Sequence, residues 1–188
     1  MRILFLSDIH GVPSTLEQAL AAAEPLNYDK IVLLGDLLYH GPRNGVPNFY
    51  DPVKVVETLN ALKEKIVAVR GNCDAEVDQM VLDFPIMAEY TLLEWQGHLI
   101  YATHGHHANP DNPPPLIPGD ILFNGHTHVP AIRRCQPGDM DFLYLNPGSI
   151  TIPKQGSAKG YMLLDDAIYH KTLDGEVLQR VTLADIGW

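Results

Sequence analysis

Positive charge is scarce in this sequence: Lys and Arg together number 13 against 23 Asp and Glu, a formal net charge of -10 at pH 7. A surface dominated by carboxylates repels polyanions, and no basic stripe interrupts it, which argues against binding of extended nucleic acid. Small phosphorylated ligands stay within reach where bound divalent cations supply the charge that side chains do not. Cysteine is nearly absent too. Cys73 and Cys135 are the only two, too few for a disulfide framework, and they read as free thiols of a reducing compartment. Long hydrophobic runs are missing: the apolar stretch before Asp8 is too short for a signal peptide, and nothing approaches membrane-spanning length. A cytoplasmic protein without a membrane partner is therefore expected. Repeats, heptads and low-complexity tracts are also lacking.

What is present is ordinary for a globular protein. The 188 residues are 46% hydrophobic and 19% charged, which suits a single domain over residues 1–188 that buries roughly two-thirds of its unfolded surface. A homo-oligomer stays open. One arrangement keeps returning along the chain: a short β-type apolar run followed at once by a polar, glycine-containing cluster. "RILFLSDIHG", "KIVLLGD", "KIVAVRGNCD", "HLIYATHGH", "DILFNGHTH" and "FLYLNPGS" all follow it. Between the first three lie two helical stretches, "PSTLEQALAAAE", with Pro13 and Ser14 as start signals, and "DPVKVVETLNALKE", with Asp51 as N-cap and Pro52 at the first position. Strand, helix, strand, helix, strand predicts a βαβαβ unit, whose ligands gather outside the carboxyl ends of parallel strands.

Beyond residue 90 the pattern changes. "YTLLEW" and "HLIYATH" meet at Gln96-Gly97 as a hairpin, and "AIRRC" and "DFLYLN" flank the turn signal "QPGDM". "GYMLLDD", "AIYHKTLD" and "EVLQRVTLAD" alternate like strands. "HHANPDNPPPLIPGD" carries five prolines and reads as a loop. Two packed sheets with helices outside are predicted.

The polar clusters carry ligand-type side chains. In "GHTH", His126 and His128 stand at i and i+2, which in an extended strand places both on one side, able to converge on one metal ion. Taken alone, the pair reads more readily as two half-exposed histidines at a strand end. Four other strand ends add Asp8 and His10, Asp36, Asn72 and His104. Meeting at one rim, these residues supply two Asp, four His and one Asn, a donor set that suits Mn, Fe, Zn or Co better than calcium. A carboxylate among them can bridge two ions about 3.5–4 Å apart.

The ordered series DxH, GD, GNxD, GH and GHxH, followed by NPGS, resembles the calcineurin-like metallophosphoesterase superfamily. "GDLLYHGPRNG" and "RGNCDAEVDQM" are similar to segments of its small bacterial phosphodiesterases. The resemblance implies a four-layer αββα sandwich of two mixed β-sheets flanked by helices. It also implies two divalent ions, Mn2+ first and Zn2+, Fe2+, Co2+ or Ni2+ as alternatives. Asp8, His10 and His128 would hold one ion, Asn72, His104 and His126 the other, with Asp36 bridging and a hydroxide between the ions as nucleophile. The implied substrate is a small phosphodiester, with a phosphomonoester as the alternative. A retromer scaffold subunit shares this fold without needing hydrolysis, and the completeness of the donor set favours the enzyme.

One position departs from the superfamily pattern. Many members have histidine where this chain has Cys73, a weaker donor that is not cationic near neutral pH. His40 and His106 are the candidates to assist at the leaving group or bind substrate, and Arg43 and Arg70 could grip phosphate or serve as structural ion-pair partners. Asp74 is expected to orient a ligand rather than bind metal. His98 and His170 are expected at the surface, and His107 in a loop.

Overall fold

The computed structural model describes residues 1–188. Its chain order opens with β1 (Ile3–Leu6), α1 (Pro13–Ala23), β2 (Lys30–Leu33), α2 (Pro52–Asn60), β3 (Ile66–Ala68) and the single-turn α3 (Glu76–Gln79). Eight strands follow: β4 (Tyr90–Trp95), β5 (His98–Thr103), β6 (Ile121–Phe123), β7 (Ala131–Cys135), β8 (Phe142–Asn146), β9 (Gly160–Leu164), β10 (Ile168–Thr172) and β11 (Val177–Val181). All runs read as strands from the sequence are strands. Where Asp51 was expected to cap α2, its side chain accepts from Lys54 N–H at 3.1 Å, with Pro52 in the first turn. The Gln96-Gly97 turn takes φ of 52° and 85°, the double left-handed geometry of a two-residue hairpin.

The strands form two mixed sheets. The first has the order β11-β10-β9-β1-β2-β3 and the second β4-β5-β6-β8-β7. Parallel pairing occupies one side of the first sheet, where β1, β2 and β3 run together with β3 at the edge, and the centre of the second, where β5, β6 and β8 do. The two sheets pack face to face, and alternation along each strand assigns side chains to layers. Ile3, Phe5, Val32 and Met162 from the first sheet meet Ile100, Ile121, Phe123, Leu143 and Leu145 from the second in the inter-sheet core. Phe5 and Phe123 stack across it with ring centroids 3.8 Å apart. Leu4, Leu6, Ile31 and Leu33 point the other way and pack under Leu16 and Ala19 of α1 and Val55 and Leu59 of α2.

Helices cover only that first outer face. On the second sheet Leu122, Phe142 and Tyr144 are covered by Leu116, which the proline-containing loop supplies. The outer layer there is thin because that loop's prolines cannot propagate a helix. No helix is long and apolar enough to cross a membrane.

One expected surface residue is buried. His170 is 5% exposed, because it shares the face of Ile168 on β10 and pairs with Met162 of β9, both in the inter-sheet core. Its Nε2 has no partner, and burial lowers its pKa from the ordinary 6.5. His98 lies half-buried instead, Nδ1–H donating to the Gly119 carbonyl at 2.7 Å and the ring stacked on Trp188.

A group whose folded pKa lies below its unfolded value favours the neutral fold. The contribution of His170 is fully present above pH 6.5 and is lost as pH falls from there toward its depressed folded value, at about 1.4 kcal/mol per pH unit for one proton. His170→Leu should flatten the acid limb of stability by that one-proton slope. Urea unfolding at a series of pH values between neutral and mildly acid checks it, and an unchanged slope would contradict the assignment.

Candidate metal centre

The loops that follow the parallel strands converge at one rim between the sheets. Asp8 and His10 follow β1, Asp36 follows β2, Asn72 and Cys73 follow β3, His104 follows β5, and His126 and His128 follow β6. The carboxyl ends of parallel strands are where such sheets collect ligands. Here two sheets present that edge to each other, so the loops come together although up to 120 residues separate them, as Asp8 and His128 are.

Asp8, His10 and His128 form one cluster. Asp8 Oδ1 lies 3.2 Å from His128 Nε2 and 3.7 Å from His10 Nε2, and the two imidazole nitrogens are 3.4 Å apart. Asn72, His104 and His126 form another, with His104 Nε2 at 3.1 Å from Asn72 Oδ1 and 3.2 Å from His126 Nδ1. Asp36 stands between them, Oδ1 at 3.5 Å from His104 Nε2 and Oδ2 at 3.8 Å from His10 Nε2. It turns one oxygen toward each cluster.

The extended-strand reading of the two HxH imidazoles does not hold. β6 ends at Phe123, and His126 and His128 have φ of 64° and 59°. The loop sends the two rings to different clusters rather than to one object. Nine non-glycine residues have positive φ, and five of them are Asp8, His10, Asp36, His126 and His128. Left-handed backbone at such residues costs on the order of 1 kcal/mol or more each and persists where the surroundings over-determine it.

Those surroundings are visible. His10, His104 and His128 donate Nδ1–H to the carbonyls of Tyr39, Leu34 and Ile152 at 2.8, 2.6 and 2.5 Å. A carbonyl can only accept, so the proton sits on Nδ1 and the Nε2 lone pair faces the centre. Asp8 Oδ2 accepts from Ser7 Oγ at 2.6 Å and His126 N–H at 3.0 Å. Asp36 Oδ1 accepts Cys73 N–H at 2.8 Å. Asp74 accepts the backbone N–H groups of Asp36, Leu37 and Gly71, tying the loops after β2 and β3 together. A Cβ on Gly71 would lie 2.2 Å from both N and Oδ1 of Asp36, so no side chain fits there. The NPGS segment braces the other side: Asn146 Nδ2 donates to the Gly125 carbonyl at 2.7 Å, and Ser149 Oγ donates to the Asp8 carbonyl and accepts Ile152 N–H.

This donor set fits divalent cations. Asp8 Oδ1 is buried with no hydrogen-bond partner, and the atoms facing it and Asp36 are imidazole lone pairs. Acceptors facing acceptors in a dry space are costly unless a cation or a proton joins them. Burial lowers the pKa of His10 and of His126, keeping both imidazoles in the ligand state. Burial acts the same way on His128, but the Asp8 carboxylate facing its Nε2 at 3.2 Å outweighs it and raises His128 above its ordinary value. Burial opposes ionisation of Asp8, yet His128, His104 and His10 hold it well below the usual carboxylate range. Cys73 is the reverse case: burial, then Asp36, pushes its thiol up to about 12.

The expected substrate residues divide. Arg43 lines the cavity over the centre, together with Asn44 and Lys154, which the sequence did not single out. Lys154 is placed there by its N–H bond to the His128 carbonyl, a contact without a sequence signal. His40 does not line that cavity; its ring packs against Tyr39 and Tyr50, and its Nδ1–H donates to the Gly41 carbonyl. His106 lies edge-on to His104 and lines the neighbouring hollow with Arg133. Burial, then His104, lowers its pKa to about 4. Arg70 is structural, donating to the Asp74 carbonyl and facing Glu89 at 3.9 Å.

The description of the calcineurin-like phosphoesterase superfamily domain matches residues 1–167. The chain belongs to this superfamily of metal-dependent phosphoesterases. It is 44% identical over 168 residues to phosphodiesterase YfcE of Escherichia coli K12, covering 89% of each chain. The solved structure of E. coli YfcE, described as a phosphoesterase, superposes with a TM-score of 0.90 at 42% identity, over 97% of this chain and 100% of that one. Vps29 of Entamoeba histolytica, solved with Zn2+, shares the fold at 22% identity and a TM-score of 0.56, over 96% of this chain and 98% of its own.

Asp74 touches no candidate ligand atom of the clusters except through the backbone, so Asp74→Asn tests positioning alone. An amide would set an N–H2 against one of the three donors. Mn2+ affinity by titration calorimetry is expected to weaken about 10–100-fold. Unaltered affinity with only a lower melting temperature would show that Asp74 holds the fold but not the centre.

Proposed function

We propose that the protein is a phosphodiesterase of small diesters that works with two divalent cations. One is held by Asp8, His10 and His128, the other by Asn72, His104 and His126, with Asp36 shared. The observation that carries this reading is Asp36, with one oxygen toward each of two clusters whose imidazoles present lone pairs. When bound, such a pair neutralises phosphoryl oxygens and supplies a water acidic enough to attack near neutral pH. Mn2+ suits the mixed carboxylate and imidazole set, as do Zn2+, Fe2+, Co2+ and Ni2+.

The chain's own groups do the rest. Arg43 and Lys154 face the cavity where the phosphate sits and grip its non-bridging oxygens, with Asn44 beside them. The P–O bond to the leaving alcohol breaks as the P–O bond to water forms, and the departing oxygen takes up a proton. Cys73 lines the same cavity and, protonated as it is, donates that proton or a hydrogen bond, regaining it from the water consumed. His40 and His106 do not line the cavity over the centre and take no part in the step. A diester carries one phosphate charge and a monoester up to two. With a thiol at position 73, fewer cations are available for the dianion, which favours diesters. The acidic surface keeps the substrate small. Two free cysteines support a cytoplasmic setting.

Metal-stripped protein should be inactive on an aryl diester and recover on reconstitution with Mn2+, Co2+, Ni2+, Zn2+ or Mg2+ tested in turn. Asp36→Asn should remain nearly inactive under all of them. Full turnover in chelator, or a fully active Asp36→Asn protein, would end the two-cation reading.

Leaving-group chemistry separates the remaining roles. Cys73→Ala should keep most activity on a nitrophenyl diester, whose leaving group departs unaided. On an alkyl diester it should lose about 10²-fold or more, the scale of general acid catalysis. Equal loss on both esters would mean the thiol is not the acid. In the same assays kcat/KM for the nitrophenyl diester should exceed that for the matched monoester; the opposite order would make the protein a phosphomonoesterase.

A further inference from the structure

Two unlike hollows adjoin the cavity over the candidate metal centre and share lining residues with it. On one side lies a pocket of about 480 Å³ in which nine of eleven lining residues are hydrophobic, Leu38, Tyr39, Tyr50, Val53, Val56 and Val77 among them. Cys73 lines both this pocket and the cavity over the centre. On the other side lies a hollow of about 550 Å³ with only three hydrophobic residues of twelve, lined by Ser14, Thr15, Asn48 and Lys159. It shares Arg43 and Asn44 with the cavity over the centre.

We propose that the enzyme is built for unsymmetrical diesters, with an apolar alcohol, aryl or alkyl, seated in the pocket beyond Cys73 and a polar alcohol in the hollow beyond Arg43. The proposal rests on the phosphodiesterase reading and names its substrate class. Continuity with the centre argues for an ester arm as the occupant. Tyr39 holds His10 through its carbonyl, Cys73 holds Asp36 through its N–H, and both side chains form the pocket wall. An arm leaving the phosphate on the Cys73 side therefore points at the neighbouring pocket. Val53 and Val77, on α2 and α3, are 68% and 64% exposed. Apolar side chains left to water around a concavity of ligand size mark a binding site.

The departure at position 73 fits this arrangement. A cationic imidazole standing between the centre and an apolar pocket would be stripped of water by an apolar arm, which is costly. A neutral thiol behaves as a small hydrophobe and lets the arm pass. On the other flank, Arg43 and Lys159 offer hydrogen bonds that only a polar arm can use.

The test is a series of glycerol phosphodiesters whose second arm is methyl, butyl, hexyl or phenyl, hydrolysed by the Mn2+-reconstituted protein and followed by phosphorus NMR. Each buried methylene contributes up to about fourfold, so kcat/KM should rise at least about tenfold from methyl to hexyl. Val53→Asp and Val77→Asp place charge on an exposed pocket rim, where the fold tolerates it, and each should shrink the hexyl-to-methyl ratio severalfold. A flat or falling series, or a ratio that both variants preserve, overturns the proposal. If the parent is a dimer that Val77→Asp dissociates while the series is flat, a second copy of the chain occupies the pocket, which also overturns it. Turnover of a bis(nitrophenyl) diester by the parent shows that the phosphodiesterase reading survives such a failure. No turnover of any diester removes both.

Discussion

Lone pairs that face lone pairs around the buried Asp8, His10, Asp36, His104 and His128 set the terms for this protein. Around Asp36 the carboxylate oxygens of two residues, the amide oxygen of Asn72 and four imidazoles approach to between 3.1 and 3.8 Å. Three of the imidazoles have spent their N–H on backbone carbonyls and have nothing left to donate. Such an assembly repels itself unless cations fill it, and it would relax apart if the chain allowed. Much of the rim exists to prevent that. Asp74 clamps two loops with three backbone bonds, and Asn146 and Ser149 brace the opposite ones.

The same constraint accounts for the unusual backbone. Five left-handed residues are five of the seven donors, because loops leaving strands at one edge must turn sharply to aim short side chains at a common point. Strain of this kind needs a rigid base. Here it is the inter-sheet core, with Phe5 and Phe123 stacked a short distance behind the rim. The rigid core, strained rim and cation-shaped space form a chain of dependence from packing to chemistry.

The hollows one layer further out obey a different logic. The cavity over the centre is lined almost wholly by polar groups, whereas its neighbour past Cys73 is almost wholly apolar. The same backbone segments form both, so the orientation of the candidate ligands and the shape of the apolar pocket are not independent. A change in the loop from Leu37 to Tyr39 would be felt at His10 and in the pocket together.

Strand identities, the two longer helices α1 and α2, the carboxyl-end clustering and the seven candidate donors were legible in the sequence, since each is written locally as a period of two, a capping residue or a short motif, whereas the single turn of α3 was not. His170 was misread although its alternation with Ile168 pointed inward, because a polar residue gives a weak burial signal. The side on which the helices lie, the separation of His126 from His128 and the arrival of Lys154 at the cavity were not legible. Nor was the apolar pocket, whose walls come from α2, α3 and the loops after β2 and β3. These depend on how two sheets meet and how loops turn, and such contacts between distant segments leave no trace in local periodicity. The residue types available for metal chemistry were determined by the sequence alone. Which donors face each other, and what lies beside them, only the packing of the sheets decided.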